Sequence, residues 1–145
     1  MGRGVAFDAV GPARCAQTFV DAALVTAVET HPVLADELTG VFDGPPSRAA
    51  FPYVSINDGA TTDWSTKTAL GREIRIGLTV WDDGESATRL HQLIGHVEDA
   101  VAALPRDLPG WRIASLVFLR SFVARNPAGA WAGVIDYRIR MLSTA

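Results

Sequence analysis

Cys15 is the single cysteine in 145 residues. Alone it excludes an internal disulfide framework and a cysteine-built zinc cage, which need two or more thiols, and it points to a reducing compartment. It sits near the start of an expected helix, where a thiol pKa can fall. With no histidine in an evident partner position, it is expected to be a buried structural thiol rather than a nucleophile. Lysine is almost missing: of 13 basic residues only Lys67 is not an arginine. Arginine suits planar, desolvated contacts, although a genome rich in Ala, Gly and Arg codons produces the same bias. No apolar run approaches the ~20 residues of a membrane span, and Met1 to Val10 lacks the apolar core of a signal peptide. We therefore expect a chain that neither crosses a membrane nor is exported.

Catalytic motifs are missing as well. The sequence has no HExxH run, GxSxG elbow, Walker loop or GxGxxG fingerprint; Gly2 and Gly4 lack the strand and helix that would give them meaning. His91 and His96 are five apart and do not share a helix face as an i,i+4 metal pair does. His31 precedes a proline at a helix end, where a solvated or capping role is expected. Asp82-Asp83 before Gly84 reads as helix capping in preference to a cation site or an acid–base pair. The aromatic-and-glycine strand motif of RNA-recognition modules is absent and the net charge is −3, so specific nucleic-acid reading is not expected. Neither a catalytic residue, a cofactor nor a metal is assigned.

What is present suffices for one domain. Hydrophobic residues make up 48% of the chain, enough to bury the roughly 68–70% of unfolded surface expected at this length. Charge is uneven. Met1 to Leu104 holds 7 basic and 14 acidic residues, whereas Pro105 to Ala145 holds 6 and 2.

Apolar residues at Ala16, Phe19, Val20, Ala23, Leu24, Ala27 and Val28 recur at helical spacing, with Pro12 suited to a first turn. His31-Pro32 ends that helix, and Val33 to Leu38 forms a short helical turn stopped by Gly40. A loop, Asp43 to Ser47, leads to a short strand, Phe51 to Ile56, with Pro52 at its start or on an edge. From Asn57 to Ala69 the only large apolar side chain is Trp64. A connection so long and polar is expected to be a mobile contact arm. Leu70 to Asp82 alternates cleanly as a strand, and Leu90, Leu93, Ile94, Val97, Val101 and Leu104 form a helical stripe capped by Asp83 or Ser86 and ended by Pro105.

Trp111 to Arg125 and Ala130 to Leu142 form a long hairpin around Asn126-Pro127-Ala128-Gly129. A type I turn with a glycine bulge pairs Asn126 with Ala130 and Arg120 with Asp136. Continued without interruption, this register puts Leu119 by Tyr137, Val117 by Ile139 and Val123 by Gly133 on a core face. The other face then holds Phe122 by Val134, Phe118 by Arg138 and Leu116 by Arg140. The fold class is α+β: a mainly antiparallel sheet with a long C-terminal hairpin and two helices packed on one face. Aromatic residues beside arginine are enriched at protein interfaces, so the second face is a candidate contact surface. Arginine stems that merely cover apolar side chains are the alternative. The interface candidates are Trp64, Lys67, Phe118, Arg120, Phe122, Arg138 and Arg140.

The order of short signals resembles the tail terminator family, the tail-completion and head–tail joining proteins of siphophage-like tails and bacterial gene transfer agents. The signals are His31-Pro32-Val33-Leu34, Val41-Phe42-Asp43 with Pro45-Pro46, Phe51-Pro52-Tyr53-Val54, Asp63-Trp64-Ser65-Thr66-Lys67 and Leu78-Thr79-Val80-Trp81, followed by the hairpin. The resemblance runs from Ala16 to Leu142. It leaves residues 1–15 as an N-terminal extension and 16–145 as one terminator-like domain. It implies a structural virion protein at the neck–tail junction: a homo-oligomeric ring, usually hexameric, that caps the tail tube, stops its polymerisation and joins it to a head-completion (stopper) protein. It further implies no enzyme activity, cofactor or membrane contact, with DNA able to pass through the ring. The alternatives are another neck or minor tail component, and a small enzyme.

Overall fold

The computed structural model describes residues 15–144; the expected extension and Pro12 lie outside the described residues except for Cys15, which is exposed and not buried as expected. Helix α1 (Ala16–Thr30) buries Val20, Leu24 and Val28 completely, one residue per turn. It stops at His31, extended before Pro32. The Nδ1 of His31 accepts the N–H groups of Val33 and Leu34, so the residue that ends one helix caps the next, α2 (Pro32–Glu37). Helix α3 (Thr88–Ala102) buries Leu90, Leu93, Ile94, Val97 and Val101 along one stripe.

Six strands form one sheet: β1 (Gly40–Asp43), β2 (Tyr53–Asp63), β3 (Gly71–Asp82), β4 (Asp107–Leu108), β5 (Trp111–Arg125) and β6 (Trp131–Ser143). Their order is β1-β2-β3-β6-β5-β4, antiparallel throughout except for the parallel pair β1–β2. The strict alternation of β3 and β6 sends Ile74, Ile76, Leu78 and Val80, with Ile135, Tyr137, Ile139 and Met141, into the core with α1 and α3. Gly133 lets α3 approach closely, since a Cβ there would lie 2.5 Å from Ile94 Cδ1. The α+β class and the one-sided helix layer are as expected.

Three expectations are corrected. The polar stretch after Ile56 is not a loop: residues 57–63 continue β2 against β3, and residues 64–70 alone make the connection. Thr61 and Thr62 favour the extended chain, and an irregularity between Asp58 and Thr61 absorbs one extra residue. Gly59 is required there, since a Cβ would sit 2.6 Å from the Arg75 carbonyl oxygen. The turn is held by polar groups: Ser65 Oγ accepts from Gly71 N, and Thr66 Oγ1 accepts from Thr68 N and Ala69 N.

The hairpin turn forms as expected, with Asn126 N donating to the Ala130 carbonyl at 2.7 Å and Gly129 at φ 102. Arg120 pairs with Asp136, Phe122 with Val134 and Val123 with Gly133. At Leu119 the ladder then slips by one residue, which the uninterrupted register missed. Below it Phe118 opposes Tyr137, Val117 opposes Arg138 and Leu116 opposes Ile139. A one-residue slip exchanges the faces. It turns the larger Leu116 and Phe118 toward the helix side and sends the smaller Val117 outward. Phe118 packs edge-on against the Tyr137 ring, 5.9 Å between centroids.

Neither Asp83 nor Ser86 caps α3 in the expected way. The N-cap position is Ala87, without a side-chain cap. Instead Asp82, fully buried at the end of β3, accepts from Asp83 N and from both Nε and Nη2 of Arg89. The guanidinium holds this carboxyl below its usual range, against the opposing effect of burial.

Candidate interaction surface

The helices cover one side of the sheet, and β3, β6 and β5 project the other side's residues away from them. Cross-strand neighbours there are Glu73 and Arg140, Arg75 and Arg138, Gly77 and Asp136, and Thr79 and Val134. Arg140 Nε donates to Glu73 Oε1 at 2.9 Å, and Arg120 Nε donates to Asp136 Oδ2 at 2.8 Å. The Arg140 hydrogen bond is the main reason the Glu73 carboxyl lies below its ordinary range. Arg138 stands opposite a like charge, Arg75, and its enclosed Nε has no hydrogen-bond partner. Four arginines against two carboxylates leave this face cationic.

The expected interface residues do not form one patch. Trp64 is half-buried with Arg140 stacked over its indole at 5.4 Å, and Arg120 lies 5.0 Å above the Phe122 ring. Arg138 lies between these two stacked pairs on β6. Lys67 is exposed at the tip of the β2–β3 turn. Phe118, which the uninterrupted register put beside Arg138, is on the opposite side because of the slip at Leu119. It lies beyond the cover of the helices and is 46% exposed. Leu119 was missed as a contact residue: the slip makes it an exposed apolar side chain at 39%, and nothing local in the sequence marks it.

Two further clusters bring ligand-type side chains together, one of two histidines and an aspartate and one of three aspartates. His31, His96 and Asp99 offer ligand atoms within 4.8 Å of one another. However, His31 Nδ1 already accepts two backbone N–H groups, so the neutral ring carries its proton on Nε2 and presents a donor, not a lone pair. Asp21, Asp43 and Asp58 also converge within 4.8 Å, from α1, β1 and β2. Asp21 is buried, which pushes its pKa up to about 7 despite a hydrogen bond from Gln17 Nε2. The first cluster lies where the α1–α2 corner meets α3, and the second where α1 meets β1 and β2. The exposed chemistry of the molecule is apolar side chains, arginines and open strand edges, which suits binding.

Comparison with known proteins agrees with this. The family described as Tail completion protein gp17 matches residues 22–142. A chain in the virion of a native gene transfer agent particle is 27% identical, with a TM-score of 0.78, over 90% of this chain and 99% of that one. The bacteriophage SPP1 gp17 protein shares the fold at 22% identity and a TM-score of 0.60, over 91% of this chain and 95% of that one. No curated protein matches.

Proposed function

The chain belongs to the tail completion protein gp17 family, structural components of the phage or gene transfer agent virion and not enzymes, and from that premise we propose that it is a tail terminator. Copies of it close into a ring, in our reading a hexamer, that caps the tail tube, stops tube growth and offers its other side to a head-completion protein. The observation that carries this reading is the bare hairpin: Phe118, Leu119 and Phe122 are 39–46% exposed on one strand. Large apolar side chains left exposed along one strand, on both of its sides, point to a contact made by that strand. A ring needs a heterologous contact between two different patches. The acidic segment before Leu104 and the basic hairpin after Pro105 supply opposite signs, which favour orientation and encounter more than affinity.

The test is a producer lacking this chain, with tail lengths and head attachment scored by electron microscopy. The expected result is filled heads and tubes, with tails over-long or unjoined. Tails of normal length joined to heads in its absence would refute the terminator role. Tubes of normal length left unjoined would instead indicate a head-completion component.

A further inference from the structure

Both long outer strands of the sheet are mostly unpaired on one side. The short β1 covers only Tyr53 to Ile56 of β2, and the two-residue β4 covers only Trp111 and Arg112 of β5. Among the described residues no strand pairs with the open side of β2 over residues 57–63 or of β5 over residues 115–125. Such rows of free N–H and C=O groups are templates for another chain and are usually blunted or covered.

Three further features match the two edges. Strand directions alternate from β2 through β3 and β6 to β5, so β5 and β2 run oppositely. A copy placed beside β5 by rotation about an axis roughly along the strands meets it with an antiparallel β2. The open stretch of β2 carries Asp58 and Asp63 and no basic residue, whereas that of β5 carries Arg120 and Arg125 and no acid. All four large hydrophobic residues exposed among the described residues, Leu70, Phe118, Leu119 and Phe122, lie on β5 or at the end of the β2–β3 turn. From these we infer that the ring closes by β-strand addition, the β5 edge of each copy pairing antiparallel with the β2 edge of the next. The open stretches are offset along the sheet, β5 toward the hairpin turn and β2 toward the β2–β3 turn. Pairing them therefore staggers adjacent copies, as closure of strands into a cylinder demands. This rests on the ring reading above.

The hydrogen-bond alternation selects the test. Asn126 N bonds to β6, so the N–H groups of Ser121 and Val123 face the open edge. Ser121→Pro removes an edge donor without taking a β5–β6 bond. We expect the purified variant to keep the wild-type circular dichroism spectrum while its incorporation into particles falls at least tenfold; wild-type incorporation overturns the inference. Cross-linking decides independently should the proline unfold the chain. In a Cys15→Ser background, Ser121→Cys is combined in one chain with Ala60→Cys, Thr61→Cys or Thr62→Cys, and particles are oxidised. We expect a ladder of covalent multimers from at least one pair and none from any single cysteine. If native mass spectrometry of tail complexes finds several copies but no pair gives a ladder, strand addition is wrong and the ring stands. A single copy per tail overturns both.

Discussion

Asp21→Asn should stabilise the isolated subunit, increasingly so as the pH rises. Asp21 is 5% exposed, accepts a hydrogen bond from Gln17 Nε2 at 3.0 Å, and faces the carboxyls of Asp58 and Asp43. Burial first, then those two acids, lift its pKa from 3.8 to about 7. A carboxyl raised on folding costs nothing below its unfolded value, where both states are protonated. Above that value the unfolded chain ionises first and stability falls, until the folded group ionises as well near pH 7. At about 1.4 kcal/mol per tenfold change in proton affinity, the full penalty is on the order of 4 kcal/mol. Asp43 and Asp58 are exposed and water screens them, so about 2–4 kcal/mol is the working range. Asparagine keeps the acceptor for Gln17 and offers its NH2 to the neighbouring carboxylates. Urea denaturation of both proteins between pH 4 and 8 reads the difference. The gap should be near zero at pH 4, open through pH 5 and 6, and level off above pH 7. A gap of constant size, or a variant less stable at pH 8, would refute the argument.

Two further outcomes follow from the α3 contacts. Gly133→Ala pushes a methyl toward Ile94 Cδ1 at 2.5 Å and should destabilise by about 1–3 kcal/mol, and adding Ile94→Val, which removes that atom, should recover part of the loss in the same denaturation assay. Arg89→Met leaves the buried Asp82 without its main partner and should cost about 2–3 kcal/mol, below the full value for a buried pair because the arginine is half exposed. Because Asp82 titrates low when paired, that loss should be largest at neutral pH and shrink as the pH falls below about 4, where the carboxyl protonates.

The parts legible in the sequence are those whose determinants are local or periodic. The stripe from Leu90 to Leu104, the alternation from Ile74 to Val80, the proline after His31 and the Asn126–Gly129 turn each specify geometry within a few residues. The failures are non-local. Residues 57–63 look like a loop because their side chains are polar and small; they are extended because β3 supplies a ladder on one side, which their composition does not announce. The slip at Leu119 is set by which of Leu116, Val117 and Phe118 best fills the space beside Ile139 and Tyr137, a competition decided only when β6 lies against the helices. Asp82 looked like a cap because acids before a helix usually are; its partner Arg89 is seven residues on, and burial of the strand end makes it an anchor.

The same contrast accounts for the candidate surface. A contact face read from alternation alone gathers Phe118, Phe122 and the arginines together, yet the slip divides them between the two sides of the hairpin. Phe118 extends the helix-side apolar layer past the last helix, and Phe122 lies under Arg120 on the cationic side. A partner that touched only one side would leave the other phenylalanine in water. A strand added to the β5 edge lies in the plane of the sheet, and its alternate side chains reach both sides at once. That geometry makes exposed apolar groups on both sides of one strand a coherent feature and not two separate patches, and it favours an edge contact over docking on the flat cationic face.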